Sequence, residues 1–217
     1  MLEVKNLVFR HPGQSQDYKF ELSIAAGEIL GLTGKSGSGK STLLDLIAGF
    51  LMPVSGDVMI GGQSLLPLPP EDRPLTILFQ KNNLFDHITA AQNVGLGINT
   101  SLRLTATQQN QVDQALDRVG LAAAANQRAS SLSGGEQQRI ALARSLVRNK
   151  PVLLLDEPFS ALDADTRAEM LQLVREIVDE KQLATLMVTH DPKDCEALGA
   201  TKTTLLQGKK SLTFAQK

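Results

Sequence analysis

The sequence predicts an α/β chain with a mainly parallel sheet and helices on both of its faces. A small antiparallel β portion is expected at the N-terminus, and a helical block is inserted in the middle. Three observations predict this. Short apolar runs such as Val152–Leu155 and Thr185–Val188 have the length and texture of strands buried on both faces. Stretches with apolar residues at helical spacing separate these runs, which is the pattern of a parallel sheet. From about residue 84 to 149 the strands give way to helix-spaced positions, which marks the insertion.

In chain order, residues 2–9 and 18–24 alternate or cluster apolar residues as strands do, with His11-Pro12-Gly13 as a turn between them. Glu28–Thr33 reads as a short buried strand running straight into Gly34-Lys35-Ser36-Gly37-Ser38-Gly39-Lys40-Ser41. Leu43, Leu44 and Ile47 then share a face of a helix over Ser41–Ala48, which Gly49 ends. Residues 57–60 read as a strand, Pro67, Pro69, Pro70 and Pro74 as a loop, and Leu75–Phe79 as a strand. In the helical block, Val112, Ala115, Leu116 and Val119 line one face of a helix over Thr107–Val119 that Gly120 stops. Another helix begins at Ser133, with Ile140, Ala143 and Val147 inward. A helix at about 166–180 precedes the strand Thr185–Val188. The expected organisation is one domain over 1–217, with its core at about 1–83 and 150–217 and a helical subdomain at about 84–149.

At 42% apolar residues the chain buries a full core, and 22 basic against 23 acidic residues leave a net charge of −1. That balance argues against a broad nucleic-acid-binding surface, so no nucleic-acid partner is expected, while a local basic phosphate site remains open. The single cysteine, Cys195, excludes an internal disulfide and fits a reducing compartment. The start, Met1 to Gly13, has no apolar signal core. No run approaches the roughly 18 apolar residues that cross a bilayer, so any link to a membrane is expected to run through a partner protein.

Gly34 to Ser41 fits the pattern G-x-x-x-x-G-K-[ST]. Gly34, Gly37 and Gly39 let the backbone fold tightly, so that successive N–H groups of the loop, Ser36 and Ser38 included, point at phosphate oxygens. The following helix adds its positive N-terminal end. Lys40 reaches β- and γ-phosphates, the Ser41 hydroxyl ligates Mg²⁺, and Thr42 adds a phosphate contact. The competing reading is a glycine-rich turn, and the position between a strand and a helix weighs against it.

Val152 to Leu155 ends in Asp156 and Glu157, and ligands sit at the carboxyl ends of such strands. Asp156 is placed to hold Mg²⁺, and Glu157 to polarise an attacking water as general base. On their own these acids would read as a solvated strand end. Ser133 and Glu136 have capping-box spacing, so a helix starts at Leu132-Ser133-Gly134-Gly135-Glu136-Gln137. The two glycines after the cap leave its N–H groups open to an anion. Two phosphate-binding elements with one hydrolytic centre suggest a two-fold pair in which the loop of one copy faces the Ser133 helix of the other.

These motifs, in this order over nearly the whole chain, resemble those of ABC transporter ATPase subunits. The resemblance implies a P-loop NTPase (RecA-like) core, with ATP and Mg²⁺ as ligands. It implies that Gly34–Thr42 is the Walker A loop and that Gln80 is a Q-loop glutamine sensing Mg²⁺ and the attacking water. Leu132–Gln137, Gln137 included, is the signature motif. Asp156 and Glu157 are the Walker B and catalytic acids, Ser160 to Asp163 the D-loop, and His190 the switch histidine at the γ-phosphate. One departure stands out. Members of the family usually stack a tyrosine or other aromatic on adenine, and here His11 holds that position, with Phe9 as the alternative.

The stretches Arg73 to His87 and Ala91 to Gly97 are similar to the ATPase subunits of bacterial thiamine importers, and the chain ends soon after Gly208 without a regulatory extension. Importers of iron(III), sulfate or polyamines share much of this pattern. The resemblance implies a second copy as partner, permease subunits contacting Gln80–His87, and indirectly a solute-binding protein. It implies a peripheral place on the cytoplasmic side of the plasma membrane. Rival readings are a non-transport ABC ATPase, which would carry coiled coils or zinc modules, and a P-loop kinase or GTPase. The last leaves the Ser133 stretch unexplained and would need an Asn-Lys-x-Asp guanine-reading segment.

Overall fold

The computed structural model describes residues 1–35, 37–79, 84–200, 202–206 and 211–213. The chain opens with β1 (Leu2–Phe9), β2 (Tyr18–Ile24), β3 (Ile29–Gly34), α1 (Lys40–Ala48), β4 (Ser55–Ile60), β5 (Gln63–Ser64) and β6 (Leu75–Leu78). The helical stretch follows as α2 (Ala90–Gly95), α3 (Ala106–Arg118) and α4 (Gly134–Leu146). Then come β7 (Val152–Asp156), α5 (Ala164–Lys181), β8 (Ala184–Val188), α6 (Pro192–Ala197), β9 (Lys202–Leu206) and β10 (Ser211–Thr213). These residues form two compact units. One is Met1–Ile77, Lys150–Asp156 and Val178–Lys217; the other is Leu78–Asn149 and Glu157–Ile177.

The first unit holds both sheets. One has the order β6-β7-β8-β3-β9, with β3 parallel to β8 and β9 and β7 parallel to β8. The other has the order β10-β2-β1-β4-β5, antiparallel at β1–β2, β1–β4 and β4–β5 and parallel at β10–β2. The burial of the strands follows their sequence pattern. β2 alternates inward Tyr18, Phe20, Leu22 and Ile24 with outward residues, as a sheet with one wet face does. All five residues of β8 and the first four of β7 are buried, as in a strand covered on both faces. One apolar core joins the two sheets to α1 through Leu43, Leu44 and Ile47. Each such leucine contributes roughly 1.5–3 kcal/mol.

Arg73, just before β6, is 1% exposed. Its Nη1 donates to the Leu46 and Ile47 carbonyls at 2.9 and 2.7 Å, and its Nε to the Leu68 carbonyl at 3.2 Å. The guanidinium therefore satisfies carbonyls in the last turn of α1, where a helix leaves acceptors unpaired and favours a cation. Gly49 closes that helix in the left-handed conformation at φ 90°, and a Cβ there would lie 2.6 Å from the guanidinium.

In the second unit α2, α3 and α4 each start with a capping box, at Thr89, Thr105 and Ser133. α3 buries Val112, Ala115 and Leu116. α4 buries Ile140 and Ala143, whereas Val147, expected inward, is a half-buried C-cap. α2 lies where the sequence showed no helix, because its six residues are too few for a period to register. Its Asn93 is fully buried. The amide donates to the Phe85 and Thr89 carbonyls, and its oxygen accepts from Phe85 N–H at 2.9 Å. No described helix is long and apolar enough to cross a membrane.

Candidate nucleotide site

β3 delivers the glycine-rich loop at the carboxyl end of the parallel sheet. Gly37 and Gly39 take positive φ of 77° and 100°, which glycine adopts without penalty. A Cβ on Gly37 would meet nothing within 4 Å, so the loop is open above it, whereas one on Gly39 would lie 2.7 Å from the Tyr18 ring. Gly39 is also the N-cap of α1, and no side chain caps that end. The orphan N–H groups of the first turn are thus left for an anion. Lys40 Nζ donates to the Gly34 and Lys35 carbonyls at 2.7 and 3.1 Å, which holds its charge over the loop. Ser38 Oγ is buried and has no hydrogen-bond partner among the described residues. An unpaired hydroxyl, an uncapped helix start and a lysine at one loop form a donor set that fits a polyphosphate. Ser41 is exposed and Thr42 half-buried; Ser36 lies outside the described residues.

Strand register brings the next residues to the same sheet edge. Asp156 pairs with Val188, and Val188 with Leu32, so the ends of β7, β8 and β3 lie level. Asp156 closes β7, His190 follows β8 by two residues, and Gly34 closes β3. His190 is exposed, and the turn that carries it is anchored on both sides. Thr189 Oγ1 donates to the buried Asp194 carboxylate at 2.9 Å and accepts from Asp191 N–H at 3.1 Å. Asp191 in turn caps α6. Among the described residues no group of His, Cys, Asp and Glu forms a ready-made metal site. Ser41 and Asp156 supply the hard oxygens that suit Mg²⁺ sharing its shell with phosphate. Gln80, the third expected ligand and a catalytic candidate, lies outside the described residues, as do Lys81 to Asn83.

His11 is half-buried beside the loop, its Nε2 3.4 Å from Thr42 Oγ1. Phe9, the alternative for adenine, is 5% exposed in the core, with its ring edge-on to His11 at 4.8 Å between centroids. Strand alternation turns Phe9 inward, whereas His11 is only half-buried beside the loop.

In the second unit the Ser133 end of α4 is built as its sequence suggests. Ser133 Oγ accepts from Glu136 N–H at 3.3 Å and donates to Glu136 Oε2 at 2.7 Å, and Ser133 N–H donates to the same oxygen at 2.8 Å. The Ser133 hydroxyl, then its N–H, hold the Glu136 carboxyl below the usual carboxylate range. Ser133 and Gly134 are exposed, and a Cβ on Gly134 would meet nothing within 4 Å. Gln137 donates to the Ala129 and Leu132 carbonyls at 3.0 and 3.2 Å, which fixes the approach to the helix. Glu157 has φ 48°, the left-handed region that a non-glycine residue enters only when its surroundings enforce it. The same unit holds Asp163, whose Oδ1 accepts from Thr166 N–H at 3.0 Å at the start of α5. Sequence reasoning missed Gln138, 3% exposed, whose amide contacts both the Glu157 carbonyl and Ala161 N–H. Its only local signal is a polar residue on the buried face of a helix.

The ABC transporter family profile matches residues 18–160. The chain is 50% identical over 198 residues to the thiamine import ATP-binding protein ThiQ of Chelativorans sp. (strain BNC1), covering 91% of this chain and 80% of that protein. It is 46% identical to the protein of that name from Vibrio cholerae (92% and 84%) and 43% identical to that from Aliivibrio fischeri (100% and 94%). Among solved structures it resembles the ATP-binding cassette MJ0796, in a dimeric post-hydrolysis state bound to ADP and Pi. The TM-score is 0.86 at 28% identity, over 100% of this chain and 98% of the other. A glycine-rich loop and an acid-tipped strand at one sheet edge, with an open capped helix start in the second unit, thus accompany family-level identity over nearly the whole length: the chain belongs to the ABC transporter family.

Proposed function

We propose that the chain is the ATP-hydrolysing subunit of a thiamine importer, working as a head-to-tail pair beneath a membrane permease. The observation that carries this is the 43–50% identity to thiamine import ATP-binding proteins over 91–100% of the chain. The likeness to a dimeric ATP-binding cassette supports the pairing. So does the openness of the Ser133 end of α4, where Ser133 and Gly134 are exposed and a Cβ on Gly134 would meet nothing within 4 Å.

In this reading the Gly34–Ser41 loop and Lys40 hold the β- and γ-phosphates of ATP, and His11 lies against the adenine. Ser133 and the Gly134 and Gly135 amides of the second copy complete the site. Glu157 accepts a proton from the water that attacks the γ-phosphorus as the bond to the β-phosphate oxygen breaks, giving ADP and phosphate. His190 and Lys40 stabilise the charge on the transferring group. Mg²⁺, held by Ser41, Asp156 and Gln80, neutralises phosphate charge when bound. The segment Gln80–His87 receives the permease, and the chain sits peripherally on the cytoplasmic face of the membrane, linked to the solute-binding protein only through that permease.

Uptake into vesicles holding the chain and its permease tests the assignment. ATP-dependent accumulation of labelled thiamine that iron(III), sulfate and spermidine do not compete away is expected. Accumulation of one of those solutes instead of thiamine would overturn it.

A further inference from the structure

We propose that Gln138 is a positioning residue that ties the first turns of α4 to the backbone of Glu157, so that contact with the partner's nucleotide at Ser133 sets the placement of the catalytic acid. The inference rests on the roles given above to Ser133 and Glu157. Gln138 is 3% exposed, one helical turn beyond Gly134. Its Nε2 donates to the Glu157 carbonyl at 3.5 Å, a long bond, and its Oε1 accepts from Ala161 N–H at 3.2 Å. A carbonyl requires a donor and an N–H requires an acceptor, so only one orientation of the amide serves both.

The bridge spans a loop whose geometry is demanding. Glu157 sits at φ 48°, a conformation that L-residues avoid and that persists only where neighbours over-determine it. The same loop makes a second contact with the helix start. A Cβ on Gly135 would be in ordinary van der Waals contact with the Leu162 side chain at 3.5 Å and the Ala161 carbonyl at 3.7 Å, so the loop passes directly over the helix start. The capping box makes Ser133, Glu136 and the first turn one rigid piece. A displacement of Ser133 is therefore passed through Gln138 to the Glu157–Ala161 backbone. Burying an amide at a site that an apolar side chain of similar length would fill costs stability unless both of its polar atoms are engaged. Gln138 engages both, and both partners belong to the loop that carries the catalytic acid.

The test compares the wild-type chain, Gln138→Met, Gln138→Glu and Glu157→Gln, each assembled with the permease. ATP hydrolysis is followed against ATP concentration, with a fluorescent ATP analogue reporting binding and a thermal melt reporting folding. In Gln138→Met the expected result is a fall in kcat of about tenfold and a Hill coefficient reduced to 1. Analogue affinity and melting temperature should stay as in wild type. Gln138→Glu keeps the acceptor for Ala161 N–H but loses the donor to Glu157; it should lower kcat as well, and it decides the matter if Gln138→Met does not fold. Wild-type kcat and Hill coefficient in a folded Gln138 variant would overturn the proposal, as would a loss explained wholly by weaker binding or a lower melting temperature. Glu157→Gln separates this failure from that of the underlying reading. An inactive Glu157→Gln beside a silent Gln138→Met sinks only the positioning role, whereas an unaffected Glu157→Gln removes the role of Glu157 itself.

Discussion

The imidazole of His11 lies against the phosphate loop, with Nε2 3.4 Å from Thr42 Oγ1 although 31 residues separate the two in the chain. The rings of Phe9 and Tyr18 meet His11 edge-on at 4.8 and 5.4 Å and hold it there. If this ring stacks on adenine, His11→Ala should weaken ATP binding by about three- to tenfold, the worth of one aromatic pair. His11→Tyr should bind at least as tightly as wild type, because a phenol offers more area. Titration with a fluorescent nucleotide measures both, and equal affinities in all three chains would remove His11 from the site.

Arg73 makes the second prediction. Its guanidinium donates to the Leu46 and Ile47 carbonyls in the last turn of α1. Arg73→Leu takes the guanidinium donor from the Ile47 and Leu68 carbonyls and leaves the Leu46 carbonyl only the Gly49 N–H at 3.3 Å, a loss of about 2–4 kcal/mol. For a chain of this size that lowers Tm by roughly 5–15 °C. Arg73→Lys should recover little, because an ammonium cannot reproduce the fork that spans the three carbonyls. A melt within about 1 °C of wild type in Arg73→Leu would contradict the account.

Acid sensitivity follows from two helix starts. Glu136 titrates below its ordinary range because the Ser133 hydroxyl and N–H bind its ionised form. Asp163 does so because the Thr166 N–H and hydroxyl bind it. In each case the folded-state value lies below the unfolded one, near ~4.3 for Glu and ~3.9 for Asp. The stabilisation is therefore fully present above those unfolded values and is lost as pH falls through the folded ones. Denaturant midpoints of wild type and Glu136→Ala should differ at neutral pH and draw together as pH falls below the unfolded value of about 4.3. A gap that widens on acidification would refute the assignment.

How legible the chain was depended on how local the cause was. β1 and β2 were readable to the residue because alternation and the His11-Pro12-Gly13 turn are local signals. The Ser133–Glu136 box was readable because both partners lie within one helical turn. The side-chain roles that the sequence did not reveal depend on distant partners. Arg73 bonds to Ile47, 26 residues away, and Gln138 to Ala161, 23 residues away. Neither periodicity nor composition reports such pairings. The small elements α2, α6 and β5 are two to six residues long, too short to show a period. The left-handed backbone of Glu157 was invisible for another reason: glutamate carries no preference for that region, so tertiary contacts alone must impose it.

The central claim is that two copies share their ATP sites and that Glu157 performs the hydrolysis. The solution mass of Glu157→Gln, by light scattering with ATP·Mg²⁺ and then with ADP·Mg²⁺, tests it most directly. The account predicts a dimer that retains intact ATP and a monomer in ADP. A chain that stays monomeric in ATP while hydrolysing it at the wild-type rate would contradict it.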